Sequence, residues 1–472
     1  MNFNPKHYSI SEIFKNQKKF LKSLVIIKGW VKNKRSSKIG ISFIDINDGS
    51  CLSSIQIIAK KKLKNYFSEI LKLTTGCSVS IKGFVIISLK NNNICEIEAY
   101  KIKVLGWVKN SSSYPMSPKI HTMEHLREFS HLRIRTKIIH SVSKIRHIIF
   151  QSFHKFLWKK EYYWVPSPII TELNAEGAGD MFRVSRLNIS DITKKNFSYN
   201  NFYKKDFFGK ETFLTVSGQL TLETYACALS KVYTLGPTFR AENSNTNRHL
   251  SEFWMLEVEA AFLTLNDIIK LILKMLKYVI FQVLKKCHEE IFFLKNNIDA
   301  KIDSRLKKFL SSKFVIINYA EALKILKISK NKEINSICYG QDLNSDQEKY
   351  LTDIYFKSPI VIKNYPKEIK AFYMRLNEDK KTVSGADFIF PKVGEIIGGS
   401  QREERSLILK KRIQQLGLDP KFYKWYQDLR NYGTVPHSGF GLGLERFILY
   451  ITGLKNIKDV TPFPRVPKNA NF

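Results

Sequence analysis

The residues best suited to phosphate chemistry lie in the stretch 236–257, where two apolar runs flank a polar loop. The first run ends in charged residues, the loop adds two basic groups, and the second run begins with an aromatic side chain. These positions are Arg240, Glu242, Arg248, His249 and Phe253. Two strands joined by such a loop predict a hairpin that offers cations to phosphates and an aromatic face to a base. A surface hairpin whose charges are only solvated is the alternative interpretation.

A glycine-rich stretch at 439–447 could let the backbone approach a ligand or a neighbouring strand closely. Gly441 and Gly443 precede Glu445 and Arg446, which open an apolar run with helical character. No Gly-Lys-Ser or Gly-Lys-Thr follows these glycines, and the third glycine of a dinucleotide fingerprint is absent. The stretch is therefore neither a Walker A loop nor a dinucleotide-binding loop, and taken alone it identifies no function.

A third stretch, 394–405, combines an apolar run with one carboxylate, two glycines and a basic residue. Glu395 could be a Mg²⁺ ligand, and Arg402 could bind a carboxylate or an amide. A strand that turns into a helix with exposed charges is the simpler interpretation of this stretch by itself.

The elements that must position these residues differ between the two ends of the chain. Five short runs rich in Ile, Val and Phe predict strands at Leu24–Val31, Ile41–Asp45, Ser53–Ala59, Val79–Ser88 and Ile94–Leu105. Between the third and fourth runs, Lys61–Leu73 has apolar residues at helical spacing and predicts a helix. This order is that of an OB-fold barrel, a common reader of single-stranded nucleic acid.

The remainder of the chain predicts longer helices that alternate with strands. Its clearest predicted elements are a helix at Ser141–Lys160, a strand at Val165–Thr171 and a helix at Asp267–Lys286. Residues near 287–345 are rich in Lys and Asn with weak periodicity, which indicates a surface insertion. We therefore predict an α+β chain with a barrel domain at 1–107, a linker at 108–120 and a larger domain at 121–472.

The chain of 472 residues carries 77 Lys and Arg against 42 Asp and Glu, a formal net charge of +35. Such an excess favours a polyanionic partner, although a genome rich in A and T would also raise the lysine content. The hydrophobic fraction of 44% is typical of a globular protein and excludes a disordered or collagen-like chain.

Cysteine spacing and hydropathy exclude two further classes. The six cysteines include no C-x-x-C pair, which argues against a zinc ribbon. The most apolar stretch, 268–284, carries Lys270, Lys274 and Lys277 on one helical face and so predicts a surface helix. We expect a soluble, cytoplasmic protein with no membrane partner.

Taken together, the motifs resemble those of a class II asparaginyl-tRNA synthetase over nearly the whole chain. Residues 236–257 have the form of the second signature motif of that class, and 439–447 have the form of the third. Residues 151–171 resemble the first, dimer-forming motif, with Pro168 at the motif's proline. Further segments similar to the family are 175–179, 216–220 and 463–465. The resemblance implies an OB-fold barrel, then a class II catalytic domain with an antiparallel sheet flanked by helices, assembled as a homodimer.

The resemblance also implies roles in binding ATP. Arg240 and Arg446 would be catalytic, Arg240 on the α-phosphate and the amino-acid carboxylate and Arg446 on the γ-phosphate. The other ATP-binding positions would be Glu242 at the adenine or ribose, Arg248 and His249 at the outer phosphates, Phe253 on the adenine, Glu395 and Gly443. Glu395 would bind Mg²⁺. Its partner stays open, because Gly398 stands where a related enzyme group places a serine ligand.

Asparagine would be bound, by the same resemblance, at Glu176, Gln219, Glu223, Arg240 and Arg402. Arg402 can donate to the side-chain oxygen of asparagine or of aspartate, so it separates them poorly. An ionised Glu223 would accept a hydrogen bond from the amide and repel a carboxylate. Related aspartate enzymes place a lysine shortly after their Ser-Pro-Gln, where this chain has none. The alternative is that Glu223 only begins an amphipathic helix and favours its N-terminus.

The implied activity is the ATP-dependent attachment of L-asparagine to tRNA(Asn) through an asparaginyl-adenylate, with release of AMP and pyrophosphate. An aspartyl-tRNA synthetase, possibly a non-discriminating one, shares this architecture. An ammonia-dependent asparagine synthetase lacks the N-terminal barrel. A non-catalytic tRNA-binding paralogue would have lost one of the phosphate-binding cations, and this chain retains them all.

Two further surfaces follow from the resemblance. Arg35, Phe43 and Gln56 would contact the tRNA anticodon, with Phe43 stacking on an unpaired base; the alternative is that Phe43 belongs to the barrel core. The dimer interface would lie around Pro168. Apolar residues expected to add area to it are Phe153, Phe156, Leu157 and Trp158; the alternative is that this helix face is intramolecular core.

Overall fold

A computed structural model describes most of the chain. The described residues are 6–88, 95–173, 180–187, 203–244 and 246–472. The chain divides into two compact units, Met1–Ser143 and Lys144–Phe472.

The first unit is built around a five-stranded barrel. Two short helices, α1 (Ile10–Lys15) and α2 (Gln17–Phe20), precede it. Its strands are β1 (Leu24–Ser37), β2 (Ile41–Asn47), β3 (Ile55–Lys60), β4 (Ser78–Ile87) and β5 (Cys95–Gly106). They close in the order β1-β2-β3-β5-β4, and alternate apolar residues along each strand fill the interior. The predicted OB-fold barrel is confirmed.

The helix predicted at 61–73 does not form. These residues make a series of turns that ends in a short 3₁₀ helix, Ile70–Lys72. Leu63, Tyr66 and Ile70 are buried in the barrel core, and the Asn65 side chain donates to the Ile102 carbonyl at 2.9 Å. The backbone hydrogen bonds of this segment are irregular, spanning three residues from Tyr66 to Leu63 and five from Ile70 to Asn65, and contacts with the barrel fix this shape. Phe67, one of the apolar residues at helical spacing, is 70% exposed.

The end of the first unit contains α3 (Met123–Glu128) and the first turns of α4 (Lys137–Trp158). Residues 108–120, the predicted linker, form no helix or strand. The rings of His121 and His125 stack at 4.8 Å, and each Nε2 lies within 3.0 Å of a linker carbonyl oxygen. These histidines hold the linker against α3.

The second unit is organised by an eight-stranded sheet. Its strands are β6 (Tyr163–Trp164), β10 (Lys231–Phe239), β11 (Glu252–Ala261), β12 (Val315–Asn318), β13 (Ile360–Lys363), β14 (Gly385–Phe390), β15 (Gly394–Gln401) and β16 (His437–Gly443). The order is β12-β13-β14-β15-β16-β11-β10-β6, antiparallel except for the two outermost pairs. A small sheet contains β7 (Ile170–Thr171), β8 (Arg183–Val184) and β9 (Thr212–Leu214).

Helices flank this sheet, in agreement with the predicted α+β class. They are α5 (Gln219–Leu229), α6 (Leu265–Lys286), α7 (His288–Asn297), α8 (Ile302–Ser311), α9 (Tyr319–Lys327), α10 (Lys332–Asn335), α11 (Ser345–Lys349), α12 (Ser406–Gln415), α13 (Lys424–Asn431) and α14 (Leu444–Thr452). In α6 one face is fully buried and the lysine face is not. Within the described ranges, no helix combines the length and apolarity that crossing a membrane requires.

The segment 287–345 contributes more to the unit than a surface insertion would. Its strand β12 pairs in parallel with β13 and extends the main sheet. Tyr319 and Leu326 of α9 are fully buried in one core with Ile360 and Ile362 of β13. Weak helical periodicity concealed this packing because the segment alternates short helices with a strand.

The region of the first signature motif differs from the prediction. In place of one strand at 165–171, two short strands, β6 and β7, are separated by an irregular stretch. Phe153 and Leu157 of α4 are fully buried inside the protomer, and Phe156 is 8% exposed. Their expected place in a dimer interface is therefore wrong. Trp158 is 73% exposed.

Candidate functional site

A cavity of about 360 Å³ opens over β10, β11, β15 and β16 in the second unit. All five residues singled out in the hairpin line it: Arg240, Glu242, Arg248, His249 and Phe253. Glu395 of β15, Gly443 of β16 and Arg446 of α14 line it as well. The sheet thus brings the three charged sequence motifs to one place.

The β10–β11 hairpin positions the first group. Thr238 faces Phe253 in the antiparallel register, and the Arg240 N–H donates to the Ser251 carbonyl at 2.9 Å, which extends the ladder beyond the strand. The Arg240 guanidinium carbon lies 5.5 Å from the centroid of the Phe253 ring. A cation for phosphate and an aromatic face for a base are therefore adjacent, as the sequence predicts.

The hairpin loop carries the other two cationic candidates. Arg248 donates to the Lys392 carbonyl at 3.2 Å, which holds its guanidinium at the rim of the cavity. His249 Nδ1 lies 2.7 Å from Thr246 Oγ1. Burial, followed by the charge of Arg446, lowers the pKa of His249. At neutral pH His249 is accordingly a neutral hydrogen-bonding group, and the arginines supply the charge.

The opposite wall comes from β16 and the start of α14. Arg446 donates to the Glu395 carbonyl at 2.8 Å, and so is anchored to β15. Glu445 accepts from the Trp254 N–H at 3.0 Å, which ties α14 to β11. Gly441 lies opposite Glu257 in the antiparallel β11–β16 register, and a Cβ there would lie 2.5 Å from Met255 Cε, so the Met255 side chain packs directly over this glycine.

Two carboxylates meet on the β14–β15 pair. Asp387 lies opposite Gly398 in the register, next to Glu395. Burial, and then the charge of Asp387, raises the pKa of Glu395. Lys370 Nζ forms an ion pair with Asp387 Oδ2 at 2.6 Å, and both residues line the cavity. Sequence reasoning missed Asp387 and Lys370; the available signal for Asp387 was a lone carboxylate in an otherwise apolar, fully buried strand.

A polar pocket occupies the deeper end of the cavity. Gln219 and Arg402, which are expected to bind asparagine, line it together with Glu259 and Tyr373. Arg402 makes a two-pronged ion pair with Glu259. A Cβ at Gly439 would overlap the Glu259 carboxylate, so glycine is required there. Glu259 was missed, although the Glu257-x-Glu259 spacing on β11 places both carboxylates on one face of the strand.

Glu223 does not line this cavity, contrary to the direct substrate contact expected from the sequence. It is fully buried and accepts hydrogen bonds from Gln219 at 3.1 Å and Arg430 at 2.7 Å. Tyr426 and His437 complete its shell. Burial opposes its ionisation, but Arg430 and His437 hold its pKa well below the usual range. Any influence on substrate passes through Gln219 and Arg402.

The remaining predicted positions lie elsewhere. Glu176 falls outside the described residues. Arg35, Phe43 and Gln56 meet on one face of the barrel: the Arg35 guanidinium lies 5.5 Å from the Phe43 ring centroid and donates to Gln56 Oε1 at 3.1 Å. Pro168 is exposed in the second unit.

Known proteins share both parts of the chain. The family described as "tRNA synthetases class II (D, K and N)" matches residues 122–467, and the "OB-fold nucleic acid binding domain" matches residues 25–108. The asparagine--tRNA ligase of Wigglesworthia glossinidia brevipalpis is 59% identical over 99% of this chain and 100% of its own. That of Buchnera aphidicola subsp. Acyrthosiphon pisum is 58% identical over 98% and 99%.

A solved structure gives the same result in three dimensions. Asparaginyl-tRNA synthetase from Pyrococcus horikoshii, complexed with asparaginyl-adenylate, superimposes with a TM-score of 0.86 at 32% identity, covering 98% of this chain and 99% of that one. Sequence motifs, cavity geometry and full-length similarity agree, and the chain therefore belongs to the asparagine--tRNA ligases within the class II aminoacyl-tRNA synthetases.

Proposed function

We propose that the cavity of the second unit converts L-asparagine and ATP into asparaginyl-adenylate and then transfers the amino acid to tRNA(Asn), releasing pyrophosphate and AMP. The observation that carries this proposal is the cavity itself. Cations face each other across it from the β10–β11 hairpin and from α14, and a polar pocket lies at its deeper end. The reaction belongs in the cytoplasm, where tRNA and ATP are available.

We assign the contacts with ATP to the two walls of the cavity, the β10–β11 hairpin and the start of α14. Arg240 holds the α-phosphate and the substrate carboxylate, with the adenine stacked on the neighbouring Phe253 and Glu242 toward the adenine or ribose. Arg248, His249 and Arg446 take the outer phosphates, and Gly443 lines the same part of the cavity without a side chain. Adenylate formation needs positioning and charge neutralisation at phosphorus more than proton transfer, which suits arginines.

Mg²⁺ fits the carboxylates of β14 and β15. A Cβ at Gly398 would lie 3.1 Å from Glu395 Oε1 and 3.8 Å from Asp387 Oδ1, so both oxygens border the open space above this glycine. Burial and then Glu395 raise the pKa of the nearby Glu348 to about 8, a sign of crowded negative charge. Glu395 and Asp387 would hold the ion, which neutralises phosphate charge when bound.

No cage of three His, Cys, Asp or Glu side chains is assembled within the described residues. Mg²⁺ in nucleotide sites keeps several waters and takes phosphate oxygens beside one or two carboxylates, and Glu395 with Asp387 offers such a pair.

The asparagine pocket is charge-balanced, which favours an amide over a carboxylate. Arg402 is paired with Glu259, and Lys370 with Asp387, so neither cation needs a carboxylate from the substrate. Gln219 and Arg402 remain as neighbours for the amide group. A polar mismatch in a closed pocket can discriminate by a factor of order 10⁴.

Amino-acid-dependent exchange between ATP and pyrophosphate tests this function. We expect the protein to exchange with asparagine and to favour it over aspartate by a factor of order 10⁴ in kcat/KM. Equal exchange with aspartate would replace the proposed selectivity with a non-discriminating activity. Absence of exchange with every amino acid would contradict the catalytic function.

The barrel is proposed to bind the tRNA anticodon through Arg35, Phe43 and Gln56. This proposal is supported by their shared face, where a cation, an aromatic ring and an amide lie within contact of one another. Such a combination suits one unpaired base and its phosphate.

We further propose a homodimer built on the first signature motif around Pro168. Apolar side chains concentrate on the surface there: Trp158, Tyr163, Trp164, Ile169 and Ile170 are each at least 41% exposed. Together with the open edge of β6, they form an apolar patch of the kind that pairs with its own copy.

Sedimentation at micromolar concentration is expected to give about twice the 55.0 kDa mass of one chain. Trp164→Glu should shift the mass toward one chain, because it buries a charge in the interface. Trp107→Glu, at a tryptophan of similar exposure on the first unit, is the matched control. A wild-type protein that sediments only as a single chain would refute the dimer.

A further inference from the structure

Lys370 is a buried cation on the wall of the catalytic cavity, and its relation to the metal has not been assigned above. Its Nζ lies 2.6 Å from Asp387 Oδ2, and the two side chains are only 13% and 10% exposed. The same Nζ lies 4.0 Å from the centroid of the Tyr365 ring, which is fully buried. Contacts on two sides therefore hold the ammonium group on Asp387.

The charges around Lys370 keep it protonated. Burial alone would favour the neutral amine, but Asp387, Glu395 and Asp342 raise its pKa above the usual range. Arg446 is a second cation that acts on Glu395. Lys370 therefore carries a fixed positive charge beside the two carboxylates that would hold Mg²⁺.

We propose that Lys370 is the resident counter-ion of Asp387, so that it opposes Mg²⁺ in the nucleotide-free enzyme and makes metal binding depend on the arrival of ATP. This inference rests on the proposed use of Mg²⁺. Lys370 is a positioning residue, because it acts through Asp387.

Lys370 and Mg²⁺ compete for Asp387 in the empty cavity, and the phosphates of ATP compensate for the repulsion between the two cations. In the empty cavity the ammonium already satisfies Asp387 Oδ2, and a divalent ion between Asp387 and Glu395 would be repelled by it. The triphosphate brings negative charge that offsets both cations, so Mg²⁺ and ATP each favour the binding of the other. Such reciprocal coupling between two ligands commonly amounts to 5–150-fold in affinity.

The test measures Mn²⁺, a paramagnetic substitute for Mg²⁺, by electron paramagnetic resonance with the full-length protein and no nucleotide. Lys370→Met should bind Mn²⁺ about tenfold more tightly than wild type, because it removes the competing charge without removing a carboxylate. Lys370→Arg keeps the charge and should remain as weak as wild type. Lys144→Met is the matched control, since it breaks a second lysine–carboxylate pair, at 2.8 Å from Glu290 Oε1, outside the cavity lining.

If Lys370→Met is less stable than wild type, the increase in its melting temperature on addition of Mg²⁺ provides a second measurement. Without Lys370 the carboxylates repel each other, so Mg²⁺ should raise the melting temperature of Lys370→Met more than that of wild type. Unchanged or weaker Mn²⁺ binding by the folded variant would overturn the inference, and so would a wild-type protein whose Mn²⁺ affinity is the same with and without ATP. Failure of amino-acid-dependent exchange in the wild-type enzyme would instead count against the proposed function.

Discussion

Glu223→Gln is expected to raise the KM for asparagine sharply and to narrow the preference over aspartate, which we place at order 10⁴ in the wild type. The carboxylate is 3.1 Å from Gln219 Nε2 and 3.8 Å from Arg402 Nε, and both partners line the cavity. Removing its charge leaves the pocket with surplus positive charge. The side-chain carboxylate of aspartate is then attracted by this surplus positive charge, whereas the wild-type pocket is neutral overall.

The same change should weaken the fold. Arg430 is fully buried against Glu223, and leaving such a cation without its partner costs about 3–5 kcal/mol. Because the pKa of Glu223 is lowered in the folded state, its contribution is present above the ordinary carboxyl value of 4.5 and is lost as the pH falls below it. Wild-type stability should therefore fall more steeply than that of Glu223→Gln in acid unfolding measurements.

Exchange kinetics with each amino acid and urea unfolding measure the two effects separately. Glu161→Gln removes an exposed glutamate whose ion pair with Lys231 spans 3.4 Å, and it should alter neither. A Glu223→Gln protein that keeps wild-type asparagine kinetics and still refuses aspartate would show that selectivity resides elsewhere in the pocket.

Phe43→Ala is expected to lower tRNA charging by about 10–100-fold while exchange stays at the wild-type level, since base stacking contributes roughly 1–3 kcal/mol. Its neighbours Ser42 and Ile44 are buried, whereas Phe43 is half-buried and lies outside the barrel core. This geometry disfavours the alternative in which the ring only fills the barrel.

Neighbouring side chains also hold the surroundings of the Phe43 ring in a fixed arrangement, as a binding site for an unpaired base requires. Arg35 lies over it at 5.5 Å, and Gln56 is fixed by Arg35 on one side and by Glu96 at 2.8 Å on the other. Phe84→Ala, at a 43% exposed phenylalanine on β4, is the matched control. If charging and exchange fell together, Phe43 would support the fold and the anticodon role would be lost.

Local sequence determined the parts of the site that depend on one hairpin or one strand–helix turn. Arg240 and Phe253 lie close together because β10 and β11 are joined directly and their register is set by the loop. Arg446 faces the cavity because β16 ends at Gly443 and leads straight into α14 at Leu444. The barrel could also be predicted from the sequence, since alternating apolar residues define its five strands.

Tertiary structure alone decided the contacts between distant segments. Lys370 meets Asp387 through the packing of an irregular segment on β14, and Arg402 meets Glu259 because β16 lies between β15 and β11 in the sheet. Glu223 was expected at the substrate, but the burial of Arg430 draws its carboxylate away from the cavity. The hydrophobic pattern of a sequence determines which face of a helix or strand is buried. It does not determine which other element packs on that face. The partners of buried charges depend on that packing, and so they could not be predicted from the sequence.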